Sequence, residues 1–338
     1  MNFHPKPLDE QVIVVTGASS GIGMTIAEMA AERGARVVLS ARAEPKLRTI
    51  TDRITERGLE ATYVRANVTK PDQLELLAHT AIERYGGIDT WINNAGVTIF
   101  GRLEDTALDD AHQLFETNYW GVVNGSQAAL PFLRRQGGGT LINIGSTLSD
   151  RSLALQGHYS ASKHAVKAYT DALRMELEKN EDPIAVCLIK PASINTNYVK
   201  HAKNNMDVEP TLPPPVYAPE VVARAVLQCA EHPRRDVVVG GGARALSLMG
   251  KLAPGLGDRV MEATMFAGQK TDQPTNGGSL GTLYAPNNNE APTRSGDIDE
   301  SVPVFEHSLY TALSMHPVAT AAAGLLLGVG AAALARRL

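Results

Sequence analysis

Short, almost continuously apolar runs alternate along the chain with longer stretches in which apolar residues recur at helical spacing. The first run, Val12 to Val15, precedes a glycine-rich turn and the helical pattern MTIAEMAAERG, which stops at Gly34. Comparable runs follow in ARVVLSAR, ATYVRANVT, IDTWINNAG, GTLINIGS, PIAVCLIKPA and RDVVVGG. Strands that alternate with helices and are apolar on both faces indicate βαβ units. The pattern predicts an α/β fold, a doubly wound parallel sheet of about seven strands with helices on both faces.

The alternating pattern fades towards the end of the chain, which predicts three regions. Residues 8–268 form the α/β body. Residues 269–315 are rich in Gly, Asn, Pro, Thr and Ser, which predicts an irregular linker or extension. Residues 316–338 predict an apolar C-terminal helix. Within it, residues 318–335 carry no charge and would reach ~27 Å as a helix, the lower limit of a membrane span.

This apolar segment has three interpretations: a membrane anchor, a helix lying in a membrane interface, and a helix buried in an oligomer. Gly324 and Gly328 form a Gly-x-x-x-Gly pattern, which allows close helix packing in membranes. Arg336 and Arg337 argue against a span that starts from a cytoplasmic body, because basic residues favour the cytoplasmic side. We favour association with a membrane, which would agree with a lipophilic substrate.

Composition narrows the classes of partner. The chain has 338 residues, of which 43% are hydrophobic and 20% charged, and its net charge of −4 gives no electrostatic argument for a nucleic acid partner. Two cysteines, Cys187 and Cys229, make neither a disulfide framework nor a metal cluster. We expect them to pack as small apolar residues in a reducing, cytoplasmic environment, with no metal bound. The segment MNFHPKPLDEQ shows no secretory signal pattern.

A glycine-rich loop, TGASSGIG, spans Thr16 to Gly23 between the first predicted strand and the first predicted helix. Glycines here allow a tight turn and let backbone N–H groups approach a pyrophosphate, which the helix N-terminus then favours. A plain strand-to-helix turn is the alternative, but the position is the one that a dinucleotide site requires. The loop therefore predicts a dinucleotide-binding, Rossmann-type sheet.

Tyr159 and Lys163 stand four positions apart in GHYSASKH, one turn apart on a predicted helix. Alone, the pair is more typical of a solvated helix face, which Lys167 would continue. Three further elements precede it in order: NNAG at 93–96, Asn118 in FETNYWG, and Ser146 at the end of the fifth strand. Together with the Gly-x-x-x-Gly-x-Gly loop, these motifs over residues 10 to 245 resemble the short-chain dehydrogenase/reductase family.

The resemblance implies a catalytic set of Asn118, Ser146, Tyr159 and Lys163. Tyr159 would be the acid/base, Ser146 would orient the substrate oxygen, and Asn118 would support a water-linked proton relay. Lys163 would hold the nicotinamide ribose. A free tyrosine has a pKa of about 10, too high for acid/base work at neutral pH. A nearby ammonium would lower it. We assign no chemistry to His158 or His164.

The resemblance also implies a cofactor site whose members are spread along the chain. They are Gly17, Ser19, Ser20, Gly21, Ile22, Gly23, Arg42, Asn67, Val68, Asn94, Ala95, Gly96, Tyr159, Lys163, Pro191, Ala192 and Thr196. Ala41 stands where NAD users of the family carry Asp, and Arg42 follows it, which favours NADP(H) because a guanidinium can pair with a 2′-phosphate. A plain surface arginine is the alternative. Asn67 replaces the usual Asp near the adenine.

The sequence departs from the family pattern after the sixth strand. KPASINT has Ala192 in place of the usual glycine, although Thr196 is present. The following segment, NYVKHAKNNMDVEPTLPPPVYAPE, should form the substrate lid. Its basic residues would either meet an acidic substrate or, as we favour, be solvated loop charges.

These observations predict an NADP(H)-dependent oxidoreductase that acts on a carbonyl or secondary alcohol of a small molecule. The alternative is a dinucleotide-binding sensor or scaffold without turnover. The resemblance implies a homo-oligomer. We expect a cytoplasmic protein, tethered to a membrane if residues 318–335 form an anchor.

Overall fold

Seven parallel strands form the central sheet of the computed structural model, which describes residues 4–242, 249, 252–275, 278–298 and 302–315. The sheet has the order β3-β2-β1-β4-β5-β6-β7. In chain order its strands are β1 Val12–Thr16, β2 Arg36–Ala41, β3 Ala61–Arg65, β4 Thr90–Asn93, β5 Gly139–Ile144, β6 Ile184–Pro191 and β7 Asp236–Val239. All neighbouring pairs run parallel, so the predicted doubly wound sheet is confirmed.

Helices follow the strands as the sequence pattern predicts. They are α1 Gly21–Glu32, α2 Glu44–Thr55, α3 Pro71–Tyr85, α4 Leu108–Phe115, α5 Gly121–Arg135, α6 Gly157–Lys179, α7 Pro219–Glu231, α8 Pro254–Met265 and α9 Leu309–Met315. A π-helical segment, Glu116–Trp120, joins α4 to α5. Three single turns of 3₁₀ helix lie at Leu8–Glu10, Thr147–Ser149 and Ala267–Gln269. Proline begins α3, α7 and α8, where its missing N–H leaves no helix bond unmade.

The sheet carries a hydrophobic layer on each face. Ile13 and Val15 of β1 belong to the layer that includes α1 and α7. Val12 and Val14 alternate with them and belong to the layer that includes α3 and α5. All four side chains are fully buried, and such burial contributes about 1.5–3 kcal/mol for each large apolar side chain. This two-sided core explains why the strands read as continuous apolar runs.

Short strands outside the central sheet connect residues 270–315 to the body. Lys270–Pro274 pairs antiparallel with Val208–Pro210. Val304–Phe305 pairs with Val216–Tyr217, which also pairs with Ser193–Ile194. Ile99–Phe100 pairs with Lys203–Asn204. The hydroxyl of Thr311 in α9 accepts a 3.0 Å hydrogen bond from the Gly240 N–H. Residues 269–315, predicted to be an irregular linker or extension, thus make defined contacts with the body where the structure describes them.

The predicted apolar helix at residues 316–338 lies outside the described residues. Among the residues that the structure describes, no helix is both long and apolar enough to cross a membrane.

Candidate active site

The glycine loop folds tightly against the end of β4. Gly17 has a φ of +67°, and a side chain there would lie 2.7 Å from the Ala95 Cα atom. A Cβ at Gly23 would lie 2.4 Å from the Gly17 carbonyl oxygen. Only glycine fits at either position without displacing the backbone. The loop thereby opens directly onto the N-terminus of α1, which favours an anion.

Asn94 holds this loop in place. Its side-chain Nδ2 donates to the Thr16 carbonyl at 3.0 Å and to the Gly17 carbonyl at 3.2 Å. The side chain of Asn93 is buried in a separate network with Asn143 and Trp91. The amide groups of this motif thus brace the sheet end, while Asn94, Ala95 and Gly96 line the cleft above it.

Tyr159 and Lys163 project from the first two turns of α6 into the same cleft. Tyr159 is 9% exposed and Lys163 3%. The Lys163 ammonium lies 5.7 Å from the centre of the Tyr159 ring and donates a 2.9 Å hydrogen bond to the Ile144 carbonyl at the end of β5. Burial lowers the pKa of Lys163 to about 8. The pair is therefore a buried feature of the site, unlike Lys167, which forms a part-exposed ion pair with Asp171 at 2.6 Å.

The pKa of Tyr159 differs from the expectation. Burial raises it above the ordinary value, and hydrogen bonding from Ser146 and Tyr198 only partly offsets that rise. Lys163 therefore does not bring about the expected lowering of this pKa. The reason is that desolvation of the phenolate dominates, while the ammonium of Lys163 is directed to the Ile144 carbonyl.

Ser146 lies directly beyond β5 and caps the short turn Thr147–Ser149. Its hydroxyl oxygen accepts from the Leu148 N–H at 3.1 Å, and its own N–H donates to the Ser149 hydroxyl at 3.2 Å. These bonds fix the Ser146 hydroxyl beside Tyr159, with which it also forms a hydrogen bond.

Asn118 lies in the π-helical segment, is fully buried and does not line the cleft. Its Nδ2 donates to the Val97 carbonyl at 2.9 Å and to the Ser162 hydroxyl at 3.1 Å, and its Oδ1 accepts from the Val97 N–H at 2.8 Å. The side chain therefore joins α6 to the loop after β4. π-Helical turns often occur at functional sites, and the apolar pattern of the sequence did not predict this one.

The predicted cofactor residues lie along one continuous cleft. One half, hereafter the adenosine half, is lined by Gly17, Ser19, Ser20, Gly21, Ile22, Gly23, Arg42, Asn67, Val68, Asn94, Ala95, Gly96 and Thr196. The other half, hereafter the substrate half, is lined by Ser146, Tyr159, Lys163, Pro191 and Ala192 and again by Ile22, Asn94, Gly96 and Thr196. The fold thus brings together residues that are far apart in the sequence.

A segment that the sequence did not connect with the site covers the adenosine half. We call residues 278–298 the strap. Its residues Thr282, Pro286 and Asn287 line the cleft. The Arg42 guanidinium donates to the strap carbonyls of Thr282, Leu283 and Tyr284, the last at 3.0 Å. In this structure Arg42 is therefore committed to the strap.

The strap is also fixed to the glycine loop and to the lid. The Gly21 N–H donates to the Thr293 carbonyl at 2.9 Å, and Asn197 Nδ2 donates to the Thr293 hydroxyl at 2.9 Å. Arg294 forms an ion pair with the buried Glu28 of α1. The lid begins at Asn197 and runs past the strap, so the two segments together form the roof of the cleft.

The basic residues of the lid have carboxylate partners. Lys200 pairs with Glu290 of the strap at 2.9 Å, and Lys203 pairs with Asp110 at 2.6 Å. Neither lysine lines the substrate half. The hypothesis that these lysines meet an acidic substrate therefore has no support in the structure. They are not merely solvated charges either, since both tie the lid to its neighbours.

The described residues contain no cluster of His, Cys, Asp or Glu that could hold a metal ion. Cys187 and Cys229 are free thiols buried in the core.

Fold and cleft together define an α/β protein built to hold a dinucleotide beside a buried tyrosine. The sequence matches the family described as short chain dehydrogenase over residues 11–207, more than half of the chain. The protein belongs to the short-chain dehydrogenase/reductase family. It is an oxidoreductase of the class that acts on the CH–OH group of donors with NAD(P) as acceptor.

Two relatives and two solved structures illustrate the relationship. The uncharacterized oxidoreductase YxnA of Bacillus subtilis is 44% identical over 281 residues, which cover 82% of this chain and 79% of YxnA. Dehydrogenase/reductase SDR family member 7B of Bos taurus is 31% identical over 264 residues, 74% of this chain and 80% of that protein.

The solved structures are a short chain dehydrogenase/reductase of Burkholderia phymatum in complex with NAD and an alcohol dehydrogenase of Thermococcus sibiricus complexed with 5-hydroxy-NADP. The first has a TM-score of 0.67 and 25% identity, and covers 80% of this chain and 99% of its own. The second has a TM-score of 0.59 and 28% identity, and covers 68% and 95%.

Proposed function

We propose that the protein is an NADP(H)-dependent oxidoreductase that interconverts a carbonyl compound and a secondary alcohol. The observation that carries this proposal is the position of Tyr159. Its phenol lies beside Ser146 and Lys163 in the substrate half, and that half continues into the cleft of the glycine loop.

The cleft fits a dinucleotide on its own geometry. Gly17 and Gly23 let the loop fold closely against Asn94 and Ala95, and the N-terminus of α1 that follows favours the charge of a diphosphate. A bound nicotinamide would supply the hydride acceptor or donor.

Each residue of the catalytic set then has a task. Tyr159 Oη gives a proton to the substrate oxygen during reduction and takes it back during oxidation. The Ser146 hydroxyl donates a hydrogen bond to the same oxygen. Lys163 places a positive charge near the phenolate that forms, and Asn118 positions the loop after β4 and α6. Proton transfer by a placed acid is worth about 10²–10⁴-fold in rate.

The preference for NADP(H) rests on the charges of the adenosine half. No carboxylate stands at Ala41, and Arg42 and Lys46 both line this half. Lys46 is 3% exposed, and burial lowers its pKa. Among the described residues Lys46 makes no direct hydrogen bond or ion pair, although the Glu290 carboxylate of the strap attracts its charge; a phosphate would give this ammonium direct hydrogen bonds. Arg42 would join it by exchanging strap carbonyls for phosphate oxygens.

Fluorescence titration with NADPH and NADH tests this preference. Lys46→Gln should weaken NADPH binding at least tenfold and leave NADH binding almost unchanged. Arg48→Gln, on the exposed side of the same helix, is the control. Equal loss for both cofactors, or none, would contradict the role of Lys46. Tight NADPH binding without oxidation across a panel of aldehydes, ketones, steroids and acyl thioesters would favour the sensor or scaffold instead.

Assembly into a homo-oligomer and association with a membrane through residues 318–335 are further predictions from the sequence, as is a cytoplasmic location. Full-length protein that is monodisperse without detergent would count against an anchor.

A further inference from the structure

The substrate half beyond Tyr159 and Ser146 has apolar walls. Leu148 and Leu153 lie on one side, and Leu212 begins a wall that continues through Pro213, Pro214 and Pro215. Met261 and Met265, four residues apart on α8, complete the lining. Methionine is flexible and adapts to varied apolar shapes. A ligand that fills this space would be in contact mainly with carbon and sulfur atoms.

Gln156 and Ser193, two polar side chains in these walls, already have partners. Gln156 Nε2 donates to Gln269 Oε1 at 2.7 Å, and Gln156 Oε1 accepts from the Tyr198 hydroxyl at 2.8 Å. The Ser193 hydroxyl donates to the Pro213 carbonyl at 2.7 Å. A polar substrate group placed against Gln156 or Ser193 would either break one of these bonds or stay unpaired, and either outcome costs binding energy.

The substrate half also offers little to a charged group on a substrate. Among the described residues that line the substrate half, Lys163 is the one cationic side chain. It lies beside Tyr159 and not along the apolar walls. A carboxylate or phosphate placed against the apolar walls would lose its hydration without gaining a counter-ion. An ionised substrate is therefore disfavoured.

We propose that the substrate is an uncharged ketone or aldehyde with a large hydrocarbon part, which lies against Met261 and Met265. This inference rests on the proposed function and deepens it. In the reductive direction a bound NADPH would supply a hydride and become NADP⁺; a C–H bond would form at the carbonyl carbon as the C=O π bond breaks toward the oxygen. The Tyr159 O–H bond breaks as its proton passes to the oxygen, and the product is the neutral alcohol.

A series of 2-alkanones from 2-butanone to 2-decanone tests the inference with the full-length wild-type enzyme and NADPH. We expect kcat/KM to rise about fourfold for each added methylene until the cleft is filled. 7-Oxooctanoate, compared with its methyl ester, should have a kcat/KM at least tenfold lower. A flat series, or a preference for the carboxylate, would overturn the assigned substrate class while leaving the proposed function intact.

Variants on α8 localise the effect. Met265→Glu should lower the ratio of kcat/KM for 2-decanone to that for 2-butanone at least tenfold. Ala263→Glu places the same charge on the exposed side of the helix and should leave that ratio unchanged. Equal ratios in both variants would overturn the placement of the hydrocarbon part against α8.

Binding separates this inference from the proposed function if no ketone is reduced. Stabilisation of the NADPH complex against heat by 2-decanone but not by 2-butanone would then support an apolar ligand site in a protein without this activity. Absence of both turnover and stabilisation would overturn both proposals.

Discussion

Replacing Arg294 by methionine should loosen the strap from the body. The guanidinium of Arg294 bonds Glu28 of α1 and lies 3.6 Å from carboxylate oxygens of Glu32 and Glu220. Although burial alone would lower the pKa of Arg294, the bond to Glu28 and the other carboxylates raise it overall. Glu28 has a side chain only 4% exposed, and its second oxygen keeps Arg53 at 3.2 Å.

The geometry sets the size of the effect. A hydrogen bond to a buried charge contributes about 1.5–3 kcal/mol. Arg294 is partly exposed and Glu28 retains Arg53, so solvent screening and the remaining partner reduce the loss to about 1–2 kcal/mol. For a chain of this length the melting temperature should fall by about 1–3 °C. Methionine keeps most of the apolar stem, so the change reports mainly on the charge.

Thermal unfolding and limited proteolysis measure this change. The strap of the Arg294→Met variant should be cleaved faster within residues 278–298, and added NADPH should slow that cleavage. Arg259→Met, on the exposed side of α8, is the control. A double-mutant cycle with Glu28→Gln should show coupling, because the two side chains form one contact. A melting temperature and cleavage rate equal to those of the control would refute the anchoring role of Arg294.

Two further predictions concern the glycine loop and Lys163. Gly23→Ala should weaken NADPH binding more than tenfold and destabilise the fold by about 1–3 kcal/mol, because its Cβ would lie 2.4 Å from the Gly17 carbonyl oxygen; titration and urea unfolding that match wild type would contradict this. Lys163 has a pKa of about 8 in the folded protein and about 10.4 in the unfolded chain. Between these two pH values the unfolded chain binds more protons than the folded protein. The contribution of Lys163 to the free energy of unfolding should therefore rise with pH. The difference in unfolding free energy between wild type and Lys163→Met, measured at pH 8 and pH 10, should therefore change in favour of wild type, whereas a constant difference would count against a depressed pKa.

The sheet and the glycine loop could be predicted because they depend on the local pattern of apolar residues and glycines. Continuous apolar runs report burial on both faces, and the loop at Gly17 to Gly23 has a requirement that glycine alone meets. Tyr159 and Lys163 were identified from their spacing along the chain after Ser146. Their pKa values could not be predicted, because desolvation depends on what covers the cleft and not on spacing along α6.

The strap could not be predicted for a different reason. Its segment lacks hydrophobic periodicity, and its hydrogen bonds, its ion pairs and the packing of the buried Leu283 all cross large sequence separations. Arg42 illustrates this: its position after Ala41 predicted a phosphate partner, whereas its guanidinium bonds carbonyls about 240 residues further along the chain. The side chain of Asn118 was likewise placed in the site by motif, although its hydrogen bonds hold the loop after β4.

The central claim is that Tyr159 is the proton donor and acceptor of the reaction. Its most direct test is the kcat/KM of Tyr159→Phe for NADPH-linked ketone reduction, measured beside its Kd for NADPH. We expect kcat/KM to fall at least about 100-fold while the Kd for NADPH stays within about threefold of wild type, since phenylalanine keeps the packing of the ring. Turnover close to that of wild type would contradict the claim.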